Sequence, residues 1–332
     1  MSMRRMALKS GDIVAFTYRV ERTLGVGAMG LVVAATHLFT GVPVAIKCLL
    51  PQHADNVSLV RRFEREARVA ARFRSENAVR VLHFGVLDQV DPDATIDAED
   101  PGALAPGLPY IVMERLDGMD LASLLRERGP LDPYTAADYI AQACGALAEA
   151  HALCLIHRDI KLANLFLTQT EATELVKVID FGIAKFTSPN AAGDAHRLTS
   201  DESMLGTLSY MSPEQMADCT SVDARSDIWS LGVTLYRLIT GVAPFQGETP
   251  VDVALSVAHE RPPPPSALRS GVPAGLDAVV QRCLEKRRED RYPSATALRL
   301  TLAPFVSRFS RSAAQSCPAT VRLARYADQA QA

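Results

Sequence analysis

The chain has 332 residues, 48% of them apolar, with 35 Lys plus Arg against 38 Asp plus Glu. That is enough apolar material for two lobes or domains, and a near-neutral balance without a basic block argues against a dedicated nucleic-acid or membrane-surface binder. No run of about 20 apolar residues suits a membrane span, no apolar core follows Arg4, Arg5 and Lys9 as in a secretory signal, and the six cysteines lack C-x-x-C or zinc spacing, so reduced, mostly buried thiols in a cytoplasmic protein without integral membrane contact are expected.

Residues 12–47 place β-branched and aromatic positions on either side of a glycine-rich turn and end in Val42-Pro43-Val44-Ala45-Ile46-Lys47, which predicts a small sheet. Residues 58–73 change to helical spacing, with Val60, Phe63, Ala67, Ala70 and Ala71 on one side and Arg or Glu on the other. Residues 79–87 and 109–116 read as strands again, around a Pro-, Gly- and Asp-containing stretch without periodicity. Beyond Gly118 the character is helical: 134–152 carries Ile140, Cys144, Leu147 and His151 at helical intervals, and 223–240 does the same with Ile228, Leu231, Leu235 and Leu238. Pro262 to Pro265 reads as a linker between two helices. A β-rich lobe joined through 114–118 to a helical lobe leaves a cleft, a preferred place for a small-molecule site.

Leu24 to Val32 contains G-x-G-x-x-G-x-V, with Gly25, Gly27 and Gly30 letting a backbone approach polyphosphate. A dinucleotide fold would start a helix within these glycines; here a strand follows, ending in Lys47, an ammonium placed for the α- and β-phosphates of a nucleotide. A lysine among apolar residues needs a counter-charge. Glu66, on the following helix, is the candidate, with Glu64 facing another side as the alternative. The run His157-Arg158-Asp159-Ile160-Lys161-Leu162-Ala163-Asn164, followed by Asp180-Phe181-Gly182, collects the groups that phosphoryl transfer uses. Asp159 is placed to accept the proton of an attacking hydroxyl or to orient it, Lys161 to neutralise the transferring group, and Asn164 and Asp180 to offer hard oxygens to magnesium. His157 reads as a structural side chain.

On these motifs, together with Gly206-Thr207-Leu208-Ser209-Tyr210-Met211-Ser212-Pro213-Glu214 and Asp227-Ile228-Trp229-Ser230-Leu231-Gly232, the chain resembles the eukaryotic-like (Hanks-type) bacterial serine/threonine protein kinases over roughly Phe16 to Phe305. The resemblance implies an α+β, bilobal protein-kinase-like fold: a small antiparallel β lobe with one helix plus a larger mainly helical lobe. The expected divisions are an extension over 1–11, the small lobe over 12–117 with an acidic insertion at 88–108, the large lobe over 118–305 and a partly disordered tail over 306–332. The insertion reads as a solvated loop. The resemblance also implies that Leu24, Val32, Ala45 and Leu167 sandwich adenine, that Met113 lies behind it, and that the backbone at Glu114 and Leu116 bonds its edge. Asp120 would contact ribose or simply start a helix, and Glu214 would pair with Arg291. Lys161 after Asp159 and Thr207 after Gly206 match the serine/threonine class.

The implied activity is transfer of the γ-phosphoryl group of ATP, with Mg2+, to Ser or Thr hydroxyls of protein substrates in bacterial signal transduction. Arg158 would receive a phosphate on the activation loop, with Thr199, Ser200 and Ser203 as candidate phosphosites and transient self-association for phosphorylation in trans. A pseudokinase scaffold would be expected to lack Lys47, Asp159 or Asp180, all of which are here. A small-molecule phosphotransferase of related fold should lack the segment from Gly206 to Glu214.

Overall fold

The computed structural model describes residues 6–26, 30–50, 53, 56–87, 103–104, 107–169, 173–181, 206–218 and 222–306. The small lobe is built on a six-stranded antiparallel sheet with order β2-β3-β4-β5-β8-β6. Its strands are β2 (Ile13–Val14), β3 (Tyr18–Val26), β4 (Gly30–His37), β5 (Pro43–Leu49), β6 (Val81–Val86) and β8 (Pro109–Glu114). Two further strands, β1 (Met6–Ala7) and β7 (Ala103–Leu104), pair antiparallel beside it. Period-two alternation sorts the sheet's faces. Val33, Ala35, Val44, Ile46, Cys48 and Val112 form one core. On the other face Leu49 and Ile111 meet Phe63 and Ala67 of helix α1 (Val57–Ala70), with Met113 packed alongside. Helix α1, expected over 58–73, starts at Val57 because Asn56 caps it, its side chain accepting from Leu59 N–H at 3.1 Å.

Within the expected extension over 1–11, Leu8 is buried with Val14, Leu87 and Leu108 of the small-lobe core. Not all of 88–108 is a solvated loop. Leu108 is fully buried, and its carbonyl accepts from Leu87 N–H at 2.9 Å while Gly107 N–H donates to Leu87 O at 2.7 Å. The acidic stretch from Asp88 to Asp100 lies outside the described residues.

The large lobe begins with β9 (Gly118–Asp120), α2 (Leu121–Arg128) and α3 (Pro133–Ala152), followed by β10 (Leu165–Gln169) and β11 (Glu174–Val178). These three strands form a second small sheet, β11-β10-β9. Then come α4 (Pro213–Ala217), α5 (Ala224–Thr240), α6 (Pro250–His259), α7 (Pro265–Leu268), α8 (Ala274–Cys283) and α9 (Ala295–Leu302). In α5, residues 226–239 are buried apart from Arg237, so the helix is enclosed on all sides as its nearly continuous apolar sequence requires. Helix α8 can lie close to it because position 232 is glycine: a Cβ there would stand 2.4 Å from Cys283 Cβ. Helix α3 packs against α5 and α9, and the proline run 262–265 leads from α6 into α7.

Two contacts dock the loop after α1 onto the large lobe. The Glu149 carboxylate accepts from Arg74 N–H at 2.8 Å and Ser75 N–H at 2.7 Å. Beside it, Val178 N–H donates to Asn77 O at 2.7 Å and Val79 N–H to Val178 O at 3.0 Å. Cys48, Cys144 and Cys283 are buried free thiols, the first two pushed up to about 12 by burial; Cys154 is exposed, and Cys219 and Cys317 lie outside the described residues. Among the described residues no helix is long and apolar enough to cross a membrane.

Candidate active site

The floor and roof of the cleft come from strands whose register is fixed by the cores behind them. Pairing of β4 with β5 sets Val32 opposite Lys47, and pairing of β5 with β8 sets Ala45 opposite Met113, all on the face turned away from the Val33–Ile46 core. Leu24 and Gly25 lie on β3, with Leu24 exposed. Gly30 faces the carbonyl of Cys48 so closely that a Cβ would stand 2.7 Å from it, so this last glycine of the motif is required by the sheet itself. Gly27 lies outside the described residues. From the large lobe, Leu167 on β10 is buried opposite Met119 and Val176.

Lys47 Nζ lies 2.6 Å from Asp180 Oδ1. The Lys47 charge holds the Asp180 carboxyl below its ordinary range, against the opposing effect of burial. The Glu66 side chain, expected to meet this ammonium, lies outside what is described, as do Gly182 and the candidate phosphosites Thr199, Ser200 and Ser203. Asp180 has φ of 51° and Arg158 has φ of 65°, left-handed values that are uncommon for non-glycine residues and concentrate at functional sites.

The loop 157–164 is shaped by its own side chains and by one distant carboxylate. Asn164 Nδ2 donates to Asp159 O at 2.7 Å and to Asp159 Oδ2 at 2.9 Å, and Lys161 Nζ lies 3.2 Å from the same oxygen. Asn164 precedes β10 and Asp180 follows β11. The pairing of Leu165 with Val178, and the bond from Ile179 N–H to Asn164 O at 3.0 Å, set the two metal-ligand candidates side by side. Beneath the loop, the buried Asp227 carboxylate accepts from His157 N–H at 2.9 Å, Arg158 N–H at 2.8 Å and His151 Nε2 at 2.7 Å. Burial alone would raise the Asp227 carboxyl; the His151 bond and the two imidazoles hold it below its usual range. His157 is wholly enclosed and burial lowers its basicity, in keeping with a structural role. Its Nε2 meets Ile179 O at 3.1 Å, and its ring lies 5.0 Å from that of Phe181, which also packs on Phe73 at 4.6 Å.

Asp120 caps α2, accepting from Ala122 and Ser123 N–H, both at 2.9 Å, and from Ser123 Oγ at 2.8 Å. Arg291 grips Glu214 at 2.7 and 2.8 Å, and Gln215 Nε2 donates to Arg158 O at 3.0 Å, joining α4 to the 157–164 loop. Sequence reasoning did not foresee Asp227 as an anchor or the direct contact of Lys47 with Asp180. Asp227 lies in the first turn of α5, where an acid is ordinary, so the sequence carried no distinguishing signal for the first. Asp180 and Asn164 supply oxygen donors suited to Mg2+, which takes few protein ligands and completes its octahedron with water and phosphate. With Asn164 Nδ2 committed to Asp159, its amide oxygen is left for such an ion. Among the described residues no cluster of three or more His, Cys, Asp or Glu forms an all-protein metal cage.

The sequence matches the family described as "Protein kinase domain" over residues 18–302. This chain belongs to the protein kinase family. Its curated relatives include the serine/threonine-protein kinase PknB of Mycobacterium tuberculosis, 41% identical over 285 residues, covering 86% of this chain and 42% of the relative. PknB of Mycobacterium leprae is 39% identical over the same length and with the same coverage. The chain thus spans about two fifths of the length of these relatives. Among solved structures, the PknI kinase domain of Mycobacterium tuberculosis matches with a TM-score of 0.64 and 29% identity, covering 91% of this chain and 100% of that one. The bilobal kinase fold is therefore established, and kinases of this family generally use ATP and Mg2+.

Proposed function

We propose that this chain is a serine/threonine protein kinase, transferring the γ-phosphoryl group of ATP to Ser or Thr hydroxyls of protein substrates in bacterial cytoplasmic signalling. The observation that carries the reading is the convergence of Lys47 and Asp180 across the cleft at 2.6 Å with Asp159, Lys161 and Asn164 knitted together beside them. Leu24, Val32, Ala45, Met113 and Leu167 would enclose the base, with the main chain at Glu114 and Leu116 along its edge. Gly25, Gly27 and Gly30 would cover the phosphates, and Asn164 and Asp180 would hold the ion. Mg2+, when bound, neutralises phosphate charge. In the transfer step the acceptor oxygen bonds to the γ-phosphorus as the bond to the β,γ-bridging oxygen breaks. ADP leaves with that electron pair, and Asp159 takes the hydroxyl proton. Lys161 offsets charge on the moving group, and Glu66 is assigned to hold Lys47 when the site is engaged.

Buried, unpaired thiols support a reducing compartment. The reading extends to self-phosphorylation: Thr199, Ser200 and Ser203 are assigned as acceptors in trans, with Arg158 receiving the product phosphate. The test compares γ-labelled transfer by the wild type and Asp159→Asn, with phosphosites mapped by mass spectrometry. The expected outcome is phospho-Ser/Thr in the wild type, clustered at those residues, and a loss of about 10²-fold or more in the variant with ATP affinity retained. Transfer that survives Asp159→Asn, or its absence from the wild type on itself and on generic acceptor proteins, would refute the reading.

A further inference from the structure

Alternation along β11 buries Val176 and Val178 in the large-lobe core and turns Lys177, between them, to the other side. There its Nζ donates to Glu114 Oε1 at 2.7 Å, with the two side chains only 12% and 22% exposed. The same Oε1 accepts from Arg80 N–H at 2.8 Å, and Glu114 N–H returns a bond to Arg80 O at 3.0 Å. One carboxylate oxygen therefore ties together the end of β8, the approach to β6 and a strand of the large lobe. Charge-assisted bonds shielded from water outlast the exposed ion pairs typical of protein surfaces.

The placement gives this tie a consequence for the cleft. In the β10–β11 register Lys177 stands opposite Phe166, and the adjacent pair is Leu167 with Val176. One end of the ion pair is thus rooted in the hairpin that carries Leu167, the residue assigned beneath the base. The other end is the residue that opens the interlobe segment 114–117, whose main chain is assigned to the base's edge. The ion pair thus bridges those two surfaces directly.

We propose that Lys177, acting through Glu114, is a positioning residue for the nucleotide base, holding the interlobe main chain at the distance from Leu167 that a purine needs. The proposal rests on the kinase reading given above and deepens its nucleotide site. It is tested with Lys177→Met, which keeps the aliphatic stem, and Lys177→Arg, which restores the charge. Steady-state kinetics are combined with calorimetric binding of adenosine, Mg-ATP and Mg-tripolyphosphate. The Met variant should raise KM for ATP about fivefold and weaken adenosine to the same degree. kcat at saturating ATP and the affinity for tripolyphosphate should stay at wild-type levels. The Arg variant should recover most of the loss, and Lys177→Met combined with Glu114→Gln should be no worse than Glu114→Gln alone.

Unchanged KM and adenosine affinity in Lys177→Met would overturn the proposal, as would a fall in kcat at constant KM or an equal weakening of tripolyphosphate. Should the Met variant melt too early to assay, failure of the Arg variant to bind adenosine like wild type would likewise overturn it. A wild type that binds adenosine but transfers no phosphate would sink the kinase reading alone, because the positioning effect is read independently in adenosine affinity.

Discussion

Arg291 is a single buried cation on which five acceptors converge. Its two terminal nitrogens hold the Glu214 carboxylate at 2.7 and 2.8 Å, while Nε donates to Glu285 O at 2.8 Å and the terminal nitrogens also reach Arg225 O and Lys286 O, each at 3.1 Å. Its Cζ lies 4.9 Å from the Trp229 ring, and its side chain is 0% exposed. Arg291→Met keeps the volume of the stem but strands three carbonyls and a carboxylate that is only 13% exposed, whose one remaining side-chain donor is Ser226 Oγ at 2.6 Å. Breaking a buried pair from one side costs about 3–5 kcal/mol. At roughly 2 °C per kcal/mol for a domain of this size, the melting midpoint should fall by roughly 6–10 °C. Removing both partners, with Arg291→Met and Glu214→Leu together, leaves no stranded charge and should recover about half of the loss.

Calorimetric melts of the wild type, the two single variants and the double supply the cycle. A single Arg291→Met variant within about 1 kcal/mol of wild type, or a double variant as unstable as the sum of the singles, would refute the reasoning. Acid titration adds a second reading. Burial works to raise the Glu214 carboxyl, but the hydrogen bonds and charge of Arg291, with Ser226, hold it below the ordinary 4.5. Its contribution is therefore fully present above that value and lost as pH falls through the depressed folded value. The stability gap between wild type and Arg291→Met should be complete at neutral pH and narrow in acid.

Asp227→Asn keeps the shape of the anchor under the 157–164 loop but cannot accept from all of His157 N–H, Arg158 N–H and His151; kcat should fall about 10²-fold through misplacement of Asp159, with KM for ATP little altered, and an unchanged kcat would remove the anchoring role. Gly232→Ala drives a methyl group to within 2.4 Å of Cys283 Cβ in the packed α5–α8 contact. A loss of about 1–3 kcal/mol in chemical denaturation is expected, and a variant as stable as wild type would show that this contact yields freely.

The loop 157–164 was legible because phosphoryl transfer asks for particular residue types at short spacing: Asp159, Lys161 and Asn164 fall within six positions, and their side chains meet. Long helices were legible for the same local reason, and 134–152 and 223–240 each agree with the observed helix to within one residue at either end. Contacts closed by the fold were not. Lys47 and Asp180 are 133 positions apart, and no local pattern distinguishes Asp180 from a helix glutamate as the group that faces an ammonium. Likewise Asp227 reads as an ordinary first-turn acid, until burial shows its carboxylate turned toward backbone donors from residues 157 and 158. The ribbon of β1 and β7 escaped notice because two residues per strand carry no periodicity.

The closure of the small-lobe sheet at Leu87 and Leu108 separates what happens beyond that point from what happens beneath it. The chain leaves and re-enters the sheet through one pair of hydrogen-bonded residues whose side chains are sealed in the core. Ends pinned in this way make a connection tolerant of length, since each doubling of a loop adds only about 0.6 kcal/mol of closure entropy. The site lies on the opposite face of the sheet from this core. A change of length or charge between Leu87 and Ala103 is thus expected to leave the register of β6 and β8, and the face opposite this core, as they are, which makes that stretch a natural graft point where new specificity can be tried at little expense to folding.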